Sequence, residues 1–202
     1  MPSQEQVSTE VKHIGLLRKA LIGKHALTID FNGMEWGGKL SLTEGMFESN
    51  DETITCLKNI FAFPVFSFSW QATTSPLTFP LEPKLAFYQA LAGVQMDEHR
   101  LTSYRESFSK LPPVRLKAGA LFRLDAEDMN QYKMLYYMGL AEKGVRISDY
   151  LNSDDPALLL RRTRVVLTCY CLGQLIPVTN IKEPTTKMSM AARILARLRK
   201  DA

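Results

Sequence analysis

The sequence predicts an α+β protein: a small helix-plus-antiparallel-sheet N-terminal module followed by a mainly helical C-terminal module. Three observations carry this. Apolar residues alternate with polar ones in short runs that are confined to the first part of the chain. Turn signals built on Gly and Asn separate those runs. Beyond Pro83 the apolar residues recur instead at three- and four-residue intervals, the spacing of one helix face.

The elements follow in order. His13 to Ile22 sets Ile14, Leu17 and Leu21 on one helical stripe, and Gly23 stands where a C-terminal cap belongs. In Ala26 to Phe31, Leu27, Ile29 and Phe31 alternate with Thr28 and Asp30, as in a strand with one buried face. Asn32-Gly33 reads as a turn, since both residues tolerate positive φ. Beyond Gly37-Gly38, Lys39 to Ser49 reads as a hairpin turning at Glu44-Gly45, with Leu40 and Leu42 on one face. Asn50 or Asp51 caps a helix carrying Ile54, Leu57 and Phe61, which runs to about Phe63 and stops at Pro64. Val65 to Trp70 then alternates Phe66, Phe68 and Trp70 against Ser67 and Ser69.

Thr73 to Pro83 holds Pro76, Pro80 and Pro83 and reads as a linker. Lys84 to Gly93 resumes helical spacing through Leu85, Tyr88 and Ala92. Leu111-Pro112-Pro113 breaks the chain, and Val114 to Leu124 reads as extended. Asp125 caps a helix reaching Met138, with Glu127 and Asp128 in its first turn, where negative charge is favoured. Val145 to Leu151 forms a short second helix. Asp155-Pro156 opens a third, which ends at Leu172 or Gly173 and is followed by the extended run Gln174 to Val178. Three helices so spaced, with an extended exit, resemble a helix-turn-helix or winged-helix core. The expected division is therefore 1–72, an α+β module; 73–83, a linker; 84–181, a helical, winged-helix-like module; and 182–202, a basic amphipathic tail.

The charge is local. From Lys182 to Ala202 there are six Lys and Arg against two acids, which accounts for the whole formal charge of +4 and leaves the preceding residues neutral. A neutral body lacks the basic footprint that phosphate contacts require, whereas the tail suits an acidic protein or an anionic membrane surface. Within the tail, Ser189 caps a short helix that sets Arg193, Arg197 and Lys200 on one face, beside an apolar stripe of Ile194 and Leu198 flanked by Ala191 and Leu195. Met1 to Glu10 is polar and carries two glutamates, unlike a secretory signal. Three cysteines without CxxC spacing point to neither a disulfide framework nor zinc, so a reducing cytoplasm is expected.

No catalytic constellation is legible. Cys56, Cys169 and Cys171 read as small core residues. His13, His25 and His99 lie far apart with no ligand-spaced partners, His13 on a helix surface and His25 in a loop. Asp154-Asp155 reads as helix capping, and no GxSxG, Walker or GxGxxG sequence occurs. No metal or cofactor is expected. Arg161, Arg162 and Arg164 open the third helix, where DNA-reading side chains sit in a winged helix. On a helical projection Arg161, Arg164 and Thr168 form one narrow polar stripe on an otherwise apolar helix, which leaves little face for a groove.

The first unit resembles the PATAN domain, the DUF4388 family of bacterial signalling proteins. The resemblance runs from HIGLLRKALIGKHALTIDF through GGKLSLTEGMFESNDETITCLKNIFAFPVFSFSW, with Leu40, Leu42, Gly45, Phe66 and Phe68 at the matching places, and departs from the family pattern at Pro64, where a Gly is usual, and around Ser49-Asn50, where the family carries a small residue after the hairpin. It implies protein–protein interaction in signalling, surface motility or pilus control, without catalysis. The expected function is thus a non-catalytic bacterial signalling adaptor with a protein partner, and the expected contact residues are Arg161, Arg164, Arg193, Arg197, Lys200, Ile194 and Leu198. The alternatives are a winged-helix DNA-binding transcriptional regulator and a tail-anchored peripheral membrane protein.

Overall fold

The computed structural model describes residues 12–73, 76–117, 125–141 and 143–178. The expected tail of residues 182–202, with Arg193, Arg197, Lys200, Ile194 and Leu198, lies outside the described residues, as does the 118–124 part of the expected extended run.

The chain is α+β: an antiparallel sheet with helices comes first, and a mainly helical region with a two-stranded ribbon follows. Helix α1 (Lys12–Gly23) leads into β1 (Leu27–Asn32), β2 (Gly37–Thr43) and β3 (Met46–Glu48), then α2 (Asp51–Ala62) and β4 (Ser67–Ala72). With β5 (Pro80–Leu81) these strands form a sheet of order β4-β1-β2-β3-β5. Its register sets Ile29 opposite both Leu40 and Trp70, and Phe31 opposite Phe68. Leu27, Ile29, Phe31, Leu40, Leu42, Phe47 and Phe68 are buried, as period-two patterning requires. The turn at Glu44-Gly45 forms as expected, with φ of 56° and 78°, left-handed values that suit a tight hairpin. Asn50 caps α2 by accepting from the Thr53 N–H at 2.7 Å.

Several local expectations change. Asn32-Gly33 does not make a two-residue turn. The loop spans Gly33 to Trp36 and is closed by the Gly33 N–H donating to the Trp36 carbonyl at 2.9 Å, so positive φ is not needed. At the end of α1 the left-handed residue is Lys24, φ 53°, rather than Gly23. Phe66 precedes β4 and is exposed, because regular pairing begins only at Ser67, opposite Asn32. The far end of the segment 73–83, expected as a linker, belongs to the sheet and to the next helix. Leu81 pairs with Phe47 as the fifth strand of the sheet, and Glu82 caps the next helix.

That helix, α3 (Pro83–Leu91), buries Ala86, Phe87, Ala90 and Leu91 rather than the Leu85–Tyr88–Ala92 stripe. Phe87 selects the face by packing its ring 5.9 Å from Phe47 and 5.7 Å from Phe61. A helix not anticipated from the sequence, α4 (Glu98–Ser109), follows with Asp97 as its cap. Then come β6 (Val114–Leu116), α5 (Ala126–Gly139), α6 (Ile147–Tyr150), α7 (Pro156–Cys171) and β7 (Leu175–Pro177), with β6 and β7 paired antiparallel. Asp125 and Asp155 cap α5 and α7 as expected. Buried apolar residues form one cluster from Ile14 to Leu175, so the core continues across the 73–83 segment. No helix of the described residues is long and apolar enough to cross a membrane.

What ties these helices together is a repeated arginine contact. None of α2, α3, α5, α6 and α7 carries a base in its last turn, although the carbonyls there favour positive charge. An arginine from another element supplies the donor. Arg100 of α4 donates from Nη2 to the Ile60 carbonyl at 2.9 Å and from Nε to the Phe61 carbonyl at 3.3 Å. Arg162 of α7 donates to the carbonyls of Tyr150 and Asn152 at the end of α6. Arg164 donates to the Val94 carbonyl just beyond α3 at 2.8 Å. Arg115 reaches the Ala141 carbonyl after α5, and Arg18 of α1 reaches the Tyr170 carbonyl of α7.

Arg100 is the most buried of the set, at 1% exposure. Its guanidinium also donates to the Tyr104 hydroxyl at 2.8 Å and lies 4.4 Å from that ring's centre, and the hydroxyl donates onward to the Phe61 carbonyl at 3.1 Å. His13 shares the Ile60 carbonyl through Nε2, 3.3 Å away. It is fully buried rather than on a helix surface, because α1 turns it toward Phe31 of the sheet, 6.2 Å between ring centres. Burial, with repulsion from Arg100, holds its pKa down at about 3.

Two outcomes follow. Arg100→Met removes the charged donor to the Ile60 and Phe61 carbonyls, which keep Tyr104 and His13, and should cost about 2–3 kcal/mol in urea unfolding, against about 1 kcal/mol for Tyr104→Phe. For His13, the unfolded chain takes up a proton below its ordinary value of 6.5 that the folded chain refuses until about 3. Stability should therefore fall as pH drops from 6.5 toward 4, by up to about 1.4 kcal/mol per pH unit. His13→Gln, which keeps a donor for Ile60, should remove that component of the pH profile.

Candidate functional site

The sequence directs attention to α7, and α7 is enclosed. Every residue from Arg162 to Cys169 is buried, so the helix has no free face along that stretch. The arginines divide accordingly. Arg162 and Arg164 are each 9% exposed. Beyond its α6 carbonyls, Arg162 donates to Gln131 Oε1 at 3.2 Å and lies over the Tyr150 ring. Arg164 holds the Val94 carbonyl, with Asp128 Oδ2 at 3.8 Å from Nη1. Thr168 turns its hydroxyl back to the Arg164 carbonyl. The polar stripe expected on the surface is thus internal at Arg164 and Thr168, because α3 and α5 pack over it; only Arg161 reaches solvent.

Arg161 borders a cleft of about 810 Å³ where the N-terminal ends of α4, α5 and α7 converge. Met96, Leu101, Leu159 and Leu160 supply its apolar lining, and Glu98, Arg105, Asp125 and Asp154 its charged lining. Arg161 pairs with Glu127, and this pair forms the ridge between the cleft and a shallower depression of about 330 Å³ beside Asn130 and Leu158. Arg105 on α4 is half-buried and lines the same cleft.

The sequence reading missed Arg105 because it missed α4. The signals were Asp97 as a cap and Leu101, Tyr104 and Phe108 at helical spacing, with Arg100 buried among them. Arg161 was legible; its neighbours in the cleft were not. Arg164 lines the same cleft but is only 9% exposed and is held by the Val94 carbonyl.

The groups that do chemistry elsewhere are withdrawn from solvent. Cys169 and Cys171 are fully buried, and burial pushes both thiols well above their ordinary value. Cys56 is pushed up to about 12 by burial and by Asp30. Among the described residues, no group of three or more His, Cys, Asp or Glu side chains is placed to hold a metal ion. Comparison with protein-family profiles, with curated proteins and with solved structures returns no match for this chain.

Asp128, behind the cleft, is 5% exposed, and its Oδ1 has no hydrogen-bond partner. Burial and then Asp125 raise its pKa to about 6, against the opposing pull of Arg164. The folded chain therefore binds this proton more tightly than the unfolded one, and the stability it contributes at low pH is lost as pH rises through 6. Asp128→Asn should gain on the wild type by about 2 kcal/mol between pH 4.5 and pH 8, read as the difference in denaturation midpoints at the two pH values. The slope is opposite in sign to that of His13, so the two variants separate the contributions.

Proposed function

We propose that this chain is a non-catalytic adaptor that binds a protein partner through the cleft between α4, α5 and α7. The observation that carries the reading is the composition of that cleft. It offers an apolar floor, carboxylates from three helix beginnings, and two arginines, Arg105 and Arg161, that cap no helix. A peptide segment that inserts an apolar side chain and presents a carboxylate to Arg105 fits such a lining. Burial of the cysteines and of His13 supports a binding role over a nucleophilic one. The resemblance of the first unit to the PATAN domain extends the proposal to bacterial signalling, in surface motility or pilus control.

The DNA-binding alternative draws on the winged-helix-like order of α5, α6, α7 and β7. It loses support from the structure of α7, whose arginines at 162 and 164 are committed to carbonyls inside the protein. The membrane alternative rests on residues 182–202, outside the described residues.

A photo-crosslinking residue at Thr102, which lines the cleft, tests the proposal against the same group at Lys58 on the exposed side of α2. In cells the Thr102 position should yield a discrete adduct that Arg105→Glu plus Arg161→Glu reduces at least about tenfold, the scale of one lost charge-assisted contact. Identical adducts from both positions, or none from Thr102, would reject the cleft as a partner site.

A further inference from the structure

The five-stranded sheet has two edges, and they are built differently. At one edge β5 is two residues long and begins with Pro80, so it offers little backbone to a further strand. At the other edge β4 runs for six residues, SFSWQA, in unbroken register with β1 and with neither proline nor charge. Among the described residues no strand pairs with its outer side. Short length, proline and charge are the usual means by which an edge is kept from pairing, and β4 uses none of them. The pattern extends beyond the strand. No charged residue lies between Lys58 and Glu82, in a chain that is 23% charged. Phe63 and Phe66, on the approach to β4, are each 51% exposed.

The hydrogen-bond phase of β4 is fixed from both of its ends. The Thr73 N–H donates to the Ala26 carbonyl at 3.1 Å, one step beyond the Leu27–Ala72 pair. Alternation then turns the backbone groups of Ser67, Ser69 and Gln71 toward β1, and those of Phe68, Trp70 and Ala72 outward. Phe66 does not extend the outer row, because its N–H donates to the Asn32 carbonyl at 2.8 Å. The outward set is therefore Phe68, Trp70 and Ala72, with Trp70 at its midpoint.

We propose that β4 pairs antiparallel with β4 of a second copy of this chain, across a two-fold axis at Trp70, joining two sheets into one. This register sets Trp70 opposite Trp70 of the second copy and Phe68 opposite Ala72, so all the outward residues bond, in about six hydrogen bonds. A two-fold centred on Ser69 engages only Phe68 and Trp70, in about four. On the exposed face Ser69 stands opposite Gln71, so no pair opposes like charges. A second copy fits this edge better than a charged segment of another protein, which would find no complement along an uncharged strand. No residue of the sheet lines the cleft between α4, α5 and α7, so this surface is separate from that one.

Sedimentation equilibrium of the full chain tests the pairing. The mass should move from the 22.9 kDa of one copy toward twice that value as concentration rises to about 100 µM. Ala72→Pro removes an outward donor and leaves the ladder to β1 intact. It should keep the wild-type circular dichroism and urea midpoint and raise the dissociation constant at least about tenfold. Ser69→Lys with Gln71→Lys opposes like charges at two pairs and should weaken the dimer as well, which decides the matter where Ala72→Pro alters the fold. A mixture of Ser69→Cys and Gln71→Cys chains should bridge on mild oxidation more readily than either alone, since such opposed residues stand about 4.5 Å apart between Cα atoms. The native Cys56, Cys169 and Cys171 are buried and do not compete. A monomer at every concentration overturns the proposal. So does a dimer that the edge variants leave intact, or one that joins Ser69→Cys chains to each other as readily as to Gln71→Cys chains.

Discussion

A helix that ends inside a protein leaves carbonyl groups pointing at whatever lies beyond it, and those groups need donors. Here five of the seven helices, α2, α3, α5, α6 and α7, have a carbonyl at or just beyond their C-terminal end met by an arginine from a different element. The donor and the acceptor are 152 residues apart for Arg18 and Tyr170 and 70 apart for Arg164 and Val94. Each of those five ends therefore draws a contact that depends on the placement of another element. The Arg100 site shows the constraint most fully: its cation lies over the Tyr104 ring, the hydroxyl of that ring serves the same carbonyls, and His13 must stay neutral beside it. Buried cations of this kind stabilise only when every contact is made, so they favour one arrangement of the helices over near alternatives.

The same constraint shapes what the surface offers. The body is neutral in sum, and several of its arginines serve carbonyls at helix ends, most of them in the interior. Arg161 of α7 and Arg105 of α4 line the cleft instead, and the helix starts around it are capped by Asp97, Asp125 and Asp155. Since the caps already serve the first amides of those helices, the cleft is a mixed-charge surface with an apolar floor rather than an anion trap. That combination suits a folded or extended protein segment better than a phosphate backbone.

Much of the fold was legible because the signals are short-range. Asn50 and Asp125 accept from amides within three residues, and Asp155 does so before Pro156, so each helix start could be placed from a few letters. The alternation of Leu27, Ile29 and Phe31 showed the buried face of β1 for the same reason. The misreadings came from residues whose role depends on a distant neighbour. Leu81 became a strand residue only because Phe47 lies opposite, and α3 turned on Phe87 because Phe47 and Phe61 receive it. Helix α4 was hidden because its buried face includes Arg100, which pattern alone assigns to solvent.

The arginines of α7 mark the division most clearly. The sequence by itself determined that a capped helix begins at Pro156, that it is apolar on nearly every side, and that Arg161, Arg162 and Arg164 lie near its start. Only the tertiary structure decided that Arg162 and Arg164 turn inward to helix-end carbonyls while Arg161 meets Glu127 at the lip of a cleft. The physical reason lies in the side chain itself. Arginine has a long apolar stem and a head that is satisfied equally by water, a carboxylate or a buried carbonyl, and which of these it meets is set by the packing of other helices.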